Sequence, residues 1–412
     1  MPMVWKGSSI EEAKGRFILD RGSGDCDDMS ALCAEYGISR ETGYELIRRY
    51  AAEGLSCVRA RSRAPHVQSG AISQEVRAAL LECRLDHRTW GPRKLKAYLE
   101  QRRPETEWPA ASTIGDVLKR GGLVHGRRRR RTAVPLTRPF APITRANDTW
   151  SVDFKGWFRT GDRTRCDPLT VTDGLSRFLI GCRICAQTGS EVSAQMIGMF
   201  KEYGVPDRFR IDNGSPWGSS GAGGLTWLSV SWLKLGIGLE FITPASPQQN
   251  GRHERMHGTL KQDTLDPPAA TPAEQQRRFD AFRRLYNQER PHEGLGQQTP
   301  ASQYQPSLRL YPRHIAEPVY DGDTVAVRRV RSSGQIKWRG DLVFVGEAFI
   351  GEPIALQETQ TGDHIVRFMT VELGSIDRAT GKFRRFGPPR PGQTKAKTAT
   401  ANPDGVNHLI GP

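Results

Sequence analysis

From Ile72 to Val124 apolar residues recur every three or four positions through ISQEVRAALLECRL, GPRKLKAYLEQR and STIGDVLKRGGLV. That period predicts three helices, the last capped by Ser112 and stopped at Gly121-Gly122. The same period fills residues 9 to 60. Ser9 and Glu12 form a capping box for a helix running toward Leu19, and MSALCAEYGISRETGYELIRRY follows. This second stretch reads as a helix-turn-helix. Met29, Leu32 and Cys33 share an apolar face, Gly37 permits the turn, Ile38 packs beneath it and Ser39 caps the next helix. Arg40, Glu41, Tyr44, Arg48 and Arg49 then lie on or near that helix's exposed side, where they can meet phosphates or base edges.

At Thr149 the period shortens to two. TWSVDFKGWF, PLTVTDG and RFLIGCRICA predict three adjacent antiparallel strands. SEVSAQMIGMFKEYG, capped by Ser190 and ended by Gly204, is a helix; DRFRID is a strand. After the glycine-rich SPWGSSGAGG, LTWLSVSWLKLG is a helix and LEFIT a strand. Strands alternating with helices in this way predict a mixed α/β layer. A helix then begins near Asn250 in ASPQQNGRHERMHGTLK, with Glu254 in its first turn and Met256 and Leu260 on an apolar stripe. Ala273 to Gln288 is amphipathic through Phe279, Phe282 and Leu285. From Val319 onward DTVAVRRV, GQIKWRG, DLVFVG, EPIALQET and HIVRFMTVEL predict five short strands and a small β-barrel. Beyond Gly387 apolar residues are too sparse for a packed structure.

The chain therefore divides into a helix-turn-helix domain (1–62), a second helical domain (70–125), a basic proline-containing linker (126–146), an α/β core (147–305), a barrel (312–387) and a disordered tail (388–412). Its 412 residues carry 60 Lys and Arg against 45 Asp and Glu, a formal net charge of +15. That excess favours a polyanionic partner, above all double-stranded DNA. The run Arg127, Arg128, Arg129, Arg130 and Arg131 can track phosphates. Arg93 and Lys94, at the start of GPRKLKAYLEQR, are further DNA-contact candidates. No apolar run reaches membrane-spanning length and the first residues lack a signal-peptide core, so a soluble cytoplasmic protein is expected. Seven scattered cysteines point to a reducing compartment. Cys182 and Cys185 form a CxxC inside an apolar run, where buried strand thiols are expected rather than zinc ligands.

Three carboxylates stand out. Asp153 interrupts an apolar strand between Val152 and Phe154, a costly position unless the charge is used. Asp212 ends a strand in RIDNGSP, and Glu254 opens a helix. Asp173, Asp162 and Asp167 read as turn or loop residues, and His253 and His257 as helix-surface residues.

With those neighbours, WSVDFKG, IDNGSP, SPQQNGRHERMHGTLK and YNQERPHEGLGQQTPAS resemble the catalytic core of insertion-sequence transposases that share the retroviral-integrase, ribonuclease H-like fold. The resemblance covers about residues 145 to 305. The helix-turn-helix with its following SRAPH is similar to bacterial members of that group. It implies that Asp153, Asp212 and Glu254 are the catalytic Asp, Asp, Glu metal ligands and that Lys261 approaches DNA. It further implies two Mg²⁺ ions, for which Mn²⁺ substitutes, held by hard oxygen donors. Cleavage of element ends, joining of their 3′ hydroxyls to target DNA, self-association into a dimer or higher multimer and a nucleoid-associated bacterial location follow from the same resemblance. Two departures are the glycine-rich insert Gly218 to Gly224, which lengthens the span before Glu254, and helix-turn-helix units in place of a zinc module. A transposase-derived DNA-binding regulator with an inactive core, or a metal-dependent nuclease that cuts without joining, are the alternatives.

Overall fold

The computed structural model describes residues 9–24, 28–61, 72–124, 140–243, 249, 251–320 and 325–387, and the chain falls into two compact units dividing after Ala71. In the first unit, α1 (Ile10–Ser23), α2 (Met29–Glu35) and α3 (Arg40–Glu53) surround Phe17, Leu32, Cys33, Leu46 and Cys57. Ser9 and Ser39 accept hydrogen bonds from the backbones of Glu12 and Thr42, as N-caps do. Gly37 turns the chain at φ 70°. A Cβ on Gly43 would meet the Cys33 Sγ at 2.5 Å, so only glycine lets α3 lie this close to α2.

The second unit opens with α4 (Gln74–Asp86), α5 (Pro92–Arg102) and α6 (Ala111–Arg120), packed around Trp90, Leu95, Trp108, Ile114 and Leu118. The N-cap of α6 is Ala110, not Ser112, which lies inside the first turn.

Next comes a five-stranded sheet of order β5-β4-β1-β6-β7, formed by β1 (Trp150–Phe154), β4 (Pro168–Asp173), β5 (Leu179–Ile184), β6 (Arg208–Ile211) and β7 (Gly238–Phe241). The first three strands in sequence are antiparallel, as expected, and β6 and β7 run parallel to β1. The long first strand stops early: after Gly156 (φ 89°) a separate ladder pairs β2 (Phe158–Arg159) with β3 (Arg165–Cys166). Helix α7 (Gly189–Tyr203) is capped by Thr188 rather than Ser190.

Strand alternation sorts the two faces of the sheet. Trp150, Val152, Leu169 and Val171 join α7 and α8 (Trp227–Lys234) in one apolar cluster with Met196, Phe200, Leu228 and Trp232. On the opposite face α9 (Gly251–Thr264) and α10 (Pro272–Gln288) pack Met256, Leu260, Phe279 and Phe282 against Leu179 and Cys182. The sheet is thus covered on both sides, the layering expected of a ribonuclease H-like core. Cys182 and Cys185 are buried thiols, pushed up well above the ordinary cysteine value by burial.

The expected barrel does not close among the described residues. Instead β8 (Val325–Arg329), β11 (Pro353–Glu358), β12 (His364–Phe368), β13 (Val371–Ile376) and β14 (Phe383–Arg385) form an open sheet of order β14-β13-β12-β11-β8. A separate hairpin pairs β9 (Gln335–Trp338) with β10 (Asp341–Phe344). HIVRFMTVEL is two strands, because Met369 at φ 51° reverses the chain within it. One face of this assembly, through Ile336, Ile354, Val366 and Leu373, shares the apolar cluster of the β5-β4-β1-β6-β7 sheet, and that shared cover makes closure unnecessary. The glycine insert forms the seam: Ala222, Gly223 and Gly224 are buried, and the Gly223 N–H donates to the Phe386 carbonyl at 3.0 Å.

Candidate metal and DNA site

On β1, side chains alternate so that Trp150 and Val152 enter the apolar cluster while Ser151 and Asp153 face α9. The register pairs Asp153 with Thr170 of β4, whose hydroxyl donates to the Asp153 carbonyl at 3.0 Å. Asp153 is half-buried, and its carboxyl is pushed up to about 7 by burial first and then by the negative charges of Asp212 and Glu254. The charges of Asp212 and Glu254 thus reach Asp153, although the three residues come from β1, the end of β6 and the first turn of α9.

Asp212 is exposed and its Oδ1 accepts from the Gly214 N–H at 2.9 Å and the Trp217 Nε1–H at 2.5 Å. An Asx turn and an indole thereby orient the carboxylate, while its other oxygen makes no hydrogen bond among the described residues. Glu254 is exposed on α9, opposite the buried Met256 and Leu260. Asp173, in contrast, spends its carboxylate on Asn147 and on Leu175 and Ser176 of its own turn. Asp167 is engaged by Arg165 and Gln187, and Asp162 by Thr160 and Thr164.

His253 and His257 are not surface residues: they are 1% and 8% exposed, and their rings meet edge to face at 4.6 Å. The Thr170 hydroxyl lies 2.7 Å from the Nε2 of each, and Thr172 Oγ1 lies 2.7 Å from the His253 Nδ1. Because Thr170 gives its only proton to the Asp153 carbonyl, it accepts from both imidazoles, which fixes each as the neutral Nε2–H tautomer. Burial holds both rings well below the ordinary histidine value. Asp153, His253 and His257 also place potential ligand atoms within 4.8 Å of one another. The readable signal was the i, i+4 spacing of the two histidines, which puts them on one helix face.

Lys261 is exposed near Lys155, whose ammonium is held below its usual range by burial and by Lys261. Lys155 follows Asp153 by two positions, and nothing in the sequence pattern marks it. Of the other candidates, Arg40, Tyr44 and Arg48 are exposed on α3, whereas Arg49 is part-buried and lies 3.8 Å from Glu53. Arg93 is paired with Glu293 at 2.7 Å. Lys94 is part-buried and pushed down to about 8 by burial and by Arg290. Arg127 to Arg131 lie outside the described residues.

Three family models match the chain: a homeodomain-like domain over residues 42–118, an integrase core domain over 235–300 and the C-terminal domain of IS481 family transposases over 325–384. An uncharacterized 39.2 kDa protein of insertion element IS476 from Xanthomonas euvesicatoria is 28% identical over 255 residues, 61% of this chain and 70% of that one. An uncharacterized 31.7 kDa protein of insertion element IS407 from Burkholderia multivorans is 27% identical over 278 residues, 66% of this chain and 93% of that one. Among solved structures, the simian T-cell lymphotropic virus intasome in complex with PP2A regulatory subunit B56 gamma aligns at 18% identity and TM-score 0.35, over 75% of this chain and 99% of that chain. The HTLV-2 integrase catalytic core domain in complex with magnesium aligns at 16% identity and TM-score 0.31, over 39% of this chain and 97% of that chain.

Proposed function

From the premise that this chain is an insertion-element transposase relative, with an integrase core between a homeodomain-like segment and an IS481-type C-terminal domain, we propose that it moves DNA. In this reading it binds the terminal inverted repeats of its element, cleaves the ends and joins their 3′ hydroxyls to target DNA by phosphoryl transfer with two metal ions. The observation that carries the reading is the integrase core match over residues 235–300, beside which the negative charges of Asp212 and Glu254 act on Asp153.

The donor set fits Mg²⁺, with Mn²⁺ as a substitute. Carboxylate oxygens remain available on Asp212 and Glu254, whereas the neighbouring imidazole nitrogens that face Thr170 and Thr172 are already engaged. Asp153, Asp212 and Glu254 would hold the ions. Bound there, the ions supply the positive charge that activates the attacking hydroxyl and steadies the leaving oxygen. Every other task falls to the chain. The β1–β4 register holds Asp153 in place, the Thr170–histidine network ties down α9, which carries Glu254, and Lys155 and Lys261 would hold the phosphodiester.

The exposed Arg40, Tyr44 and Arg48 would read or grip the repeat, helped by Arg49, Arg93, Lys94 and the run Arg127–Arg131. In this reading the chain works as a helix-turn-helix domain (1–62), a second helical domain (70–125), a linker (126–146), the catalytic core (147–305), a C-terminal sheet domain (312–387) and a tail (388–412). It acts as a dimer or higher multimer that brings two ends together, in the bacterial cytoplasm and on the nucleoid.

Purified full-length protein, labelled element ends and Mg²⁺ should give both nicked and joined products. Asp153→Asn, Asp212→Asn and Glu254→Gln should each lower the rate by about a thousandfold, on the order of 4 kcal/mol of barrier. Wild-type cleavage by Asp153→Asn would remove the metal role; nicks without joined strands would make the protein a nuclease.

A further inference from the structure

The sheet fixes the spacing of Asp153 and Asp212 only in part. β1 and β6 run parallel and pair Trp150 with Phe209 and Ser151 with Arg210, and there their ladder ends. Continued for two more residues, the same register would set Asp153 beside Asp212, at about the 4.8 Å that separates neighbouring strands. The ladder therefore holds neither aspartate, and two carboxylates at such a spacing repel each other. Asp212 is also exposed, so apolar packing does not hold it either.

Trp217 spans the gap. Its side chain is 1% exposed in the apolar cluster and lies stacked on Phe154, with ring centroids 5.5 Å apart and planes inclined by 15°. Phe154 follows Asp153 on β1 and, by strand alternation, turns to the other face. From that stack the indole Nε1–H donates to Asp212 Oδ1 at 2.5 Å. One rigid ring thus touches both the strand that carries Asp153 and the carboxylate of Asp212. The loop that presents the ring is itself pinned. The Gly218 N–H donates to the Gly214 carbonyl at 2.7 Å, the Asn213 amide to the Ile242 carbonyl at 2.6 Å, and the Thr226 hydroxyl at the N-cap of α8 to the Pro216 carbonyl at 2.8 Å. A Cβ on Gly218 would collide with the Asn213 carbonyl, so this loop path requires glycine there.

We propose that Trp217 is a positioning residue for the metal site: its indole N–H, braced on Phe154, holds the Asp212 carboxylate in place beside Asp153 so that the pair is ready for a divalent cation. This role rests on the reading of Asp153, Asp212 and Glu254 as metal ligands. Oδ1 of Asp212 takes the indole and Gly214 N–H groups, and its other oxygen, without a hydrogen bond among the described residues, is the hard donor that such a cation prefers. Groups that orient a ligand without touching the ion change metal affinity by about 10–100-fold.

The full chain, free of DNA, is melted at a series of Mg²⁺ concentrations, and the half-saturating concentration is read from the rise in melting temperature. Trp217→Phe keeps an aromatic ring on Phe154 and removes the donor; it should raise that concentration about tenfold. Phe200→Leu, in the same apolar cluster, should lower the melting temperature without Mg²⁺ and leave the half-saturating concentration unchanged. An unchanged concentration in Trp217→Phe, or an equal rise in Phe200→Leu, overturns the role of the indole and leaves the metal site standing. A wild type that does not respond to Mg²⁺ overturns the metal site and the role of Trp217 together. A second measurement needs no change at Trp217. Among the nine indole N–H signals of the chain grown with isotope-labelled tryptophan, one should move both on adding Mg²⁺ and in Asp212→Ala. The absence of any signal that answers to both overturns the role, even where Trp217→Phe fails to fold.

Discussion

Asp153 and the buried histidines pull stability in opposite directions as pH changes. The Asp153 carboxyl sits at about 7 in the fold against about 4 in the unfolded chain, so the fold holds the extra proton and stability falls as pH rises through that window. His257 sits at about 3 in the fold against about 6.5 unfolded, so stability rises with pH from about 3 to 6.5. His253 and His292 are displaced in the same direction as His257. Urea melts with EDTA should therefore show a steeper gain between about pH 4 and 6.5 in Asp153→Asn than in wild type. A shallower gain would place the Asp153 proton elsewhere. Thr170→Val keeps the shape but leaves two imidazole N–H groups without an acceptor, and should cost about 2–4 kcal/mol by the same melts. Thr170→Ser should be close to wild type. A Val variant as stable as wild type would remove Thr170 from the role of holding α9.

At the scale of elements, α10 is held to the sheet by aromatic burial and by side-chain amides that meet the edge strand β5. Asn287 both accepts from the Leu179 N–H and donates to its carbonyl, and Gln276 does the same across Ile184 and Cys182. These amides satisfy an edge that would otherwise be open for pairing. Phe279→Ala should cost about 3–5 kcal/mol, because the ring is fully buried between α10 and the sheet. A loss below 1 kcal/mol in a urea melt would contradict that packing. Strands and helices of the core were legible from period and length, since each buries a face of its own. The N-caps at Ser112 and Ser190 were misplaced because a nearby residue satisfies the same geometry, and which one does so depends on where the preceding loop delivers the chain.

Across the second compact unit, the C-terminal sheet and the integrase-type core share one apolar cluster rather than two separate ones. Lys234 of α8 pairs with Glu352 at 2.6 Å across the same seam, and a Cβ on Gly223 would sit 3.0 Å from Leu373. Gly223→Val at φ 64° should therefore loosen the seam, seen as faster proteolysis between residues 320 and 387. Stopping the chain after residue 320 would uncover apolar surface on the core, with loss of soluble protein or strong binding of a hydrophobic dye as the expected result. A soluble, cooperatively melting core would show the seam to be dispensable.

The sequence by itself determined the helix-turn-helix pattern, the alternation of strands and helices in the core and the three carboxylates that interrupt it. Those signals are local: a period, a cap, or an acid in an apolar strand. Tertiary structure alone decided that His253 and His257 are buried on Thr170, that the glycine insert is a seam and that the C-terminal strands stay open. Each of those depends on segments far apart in the chain, and no window of sequence contains both partners.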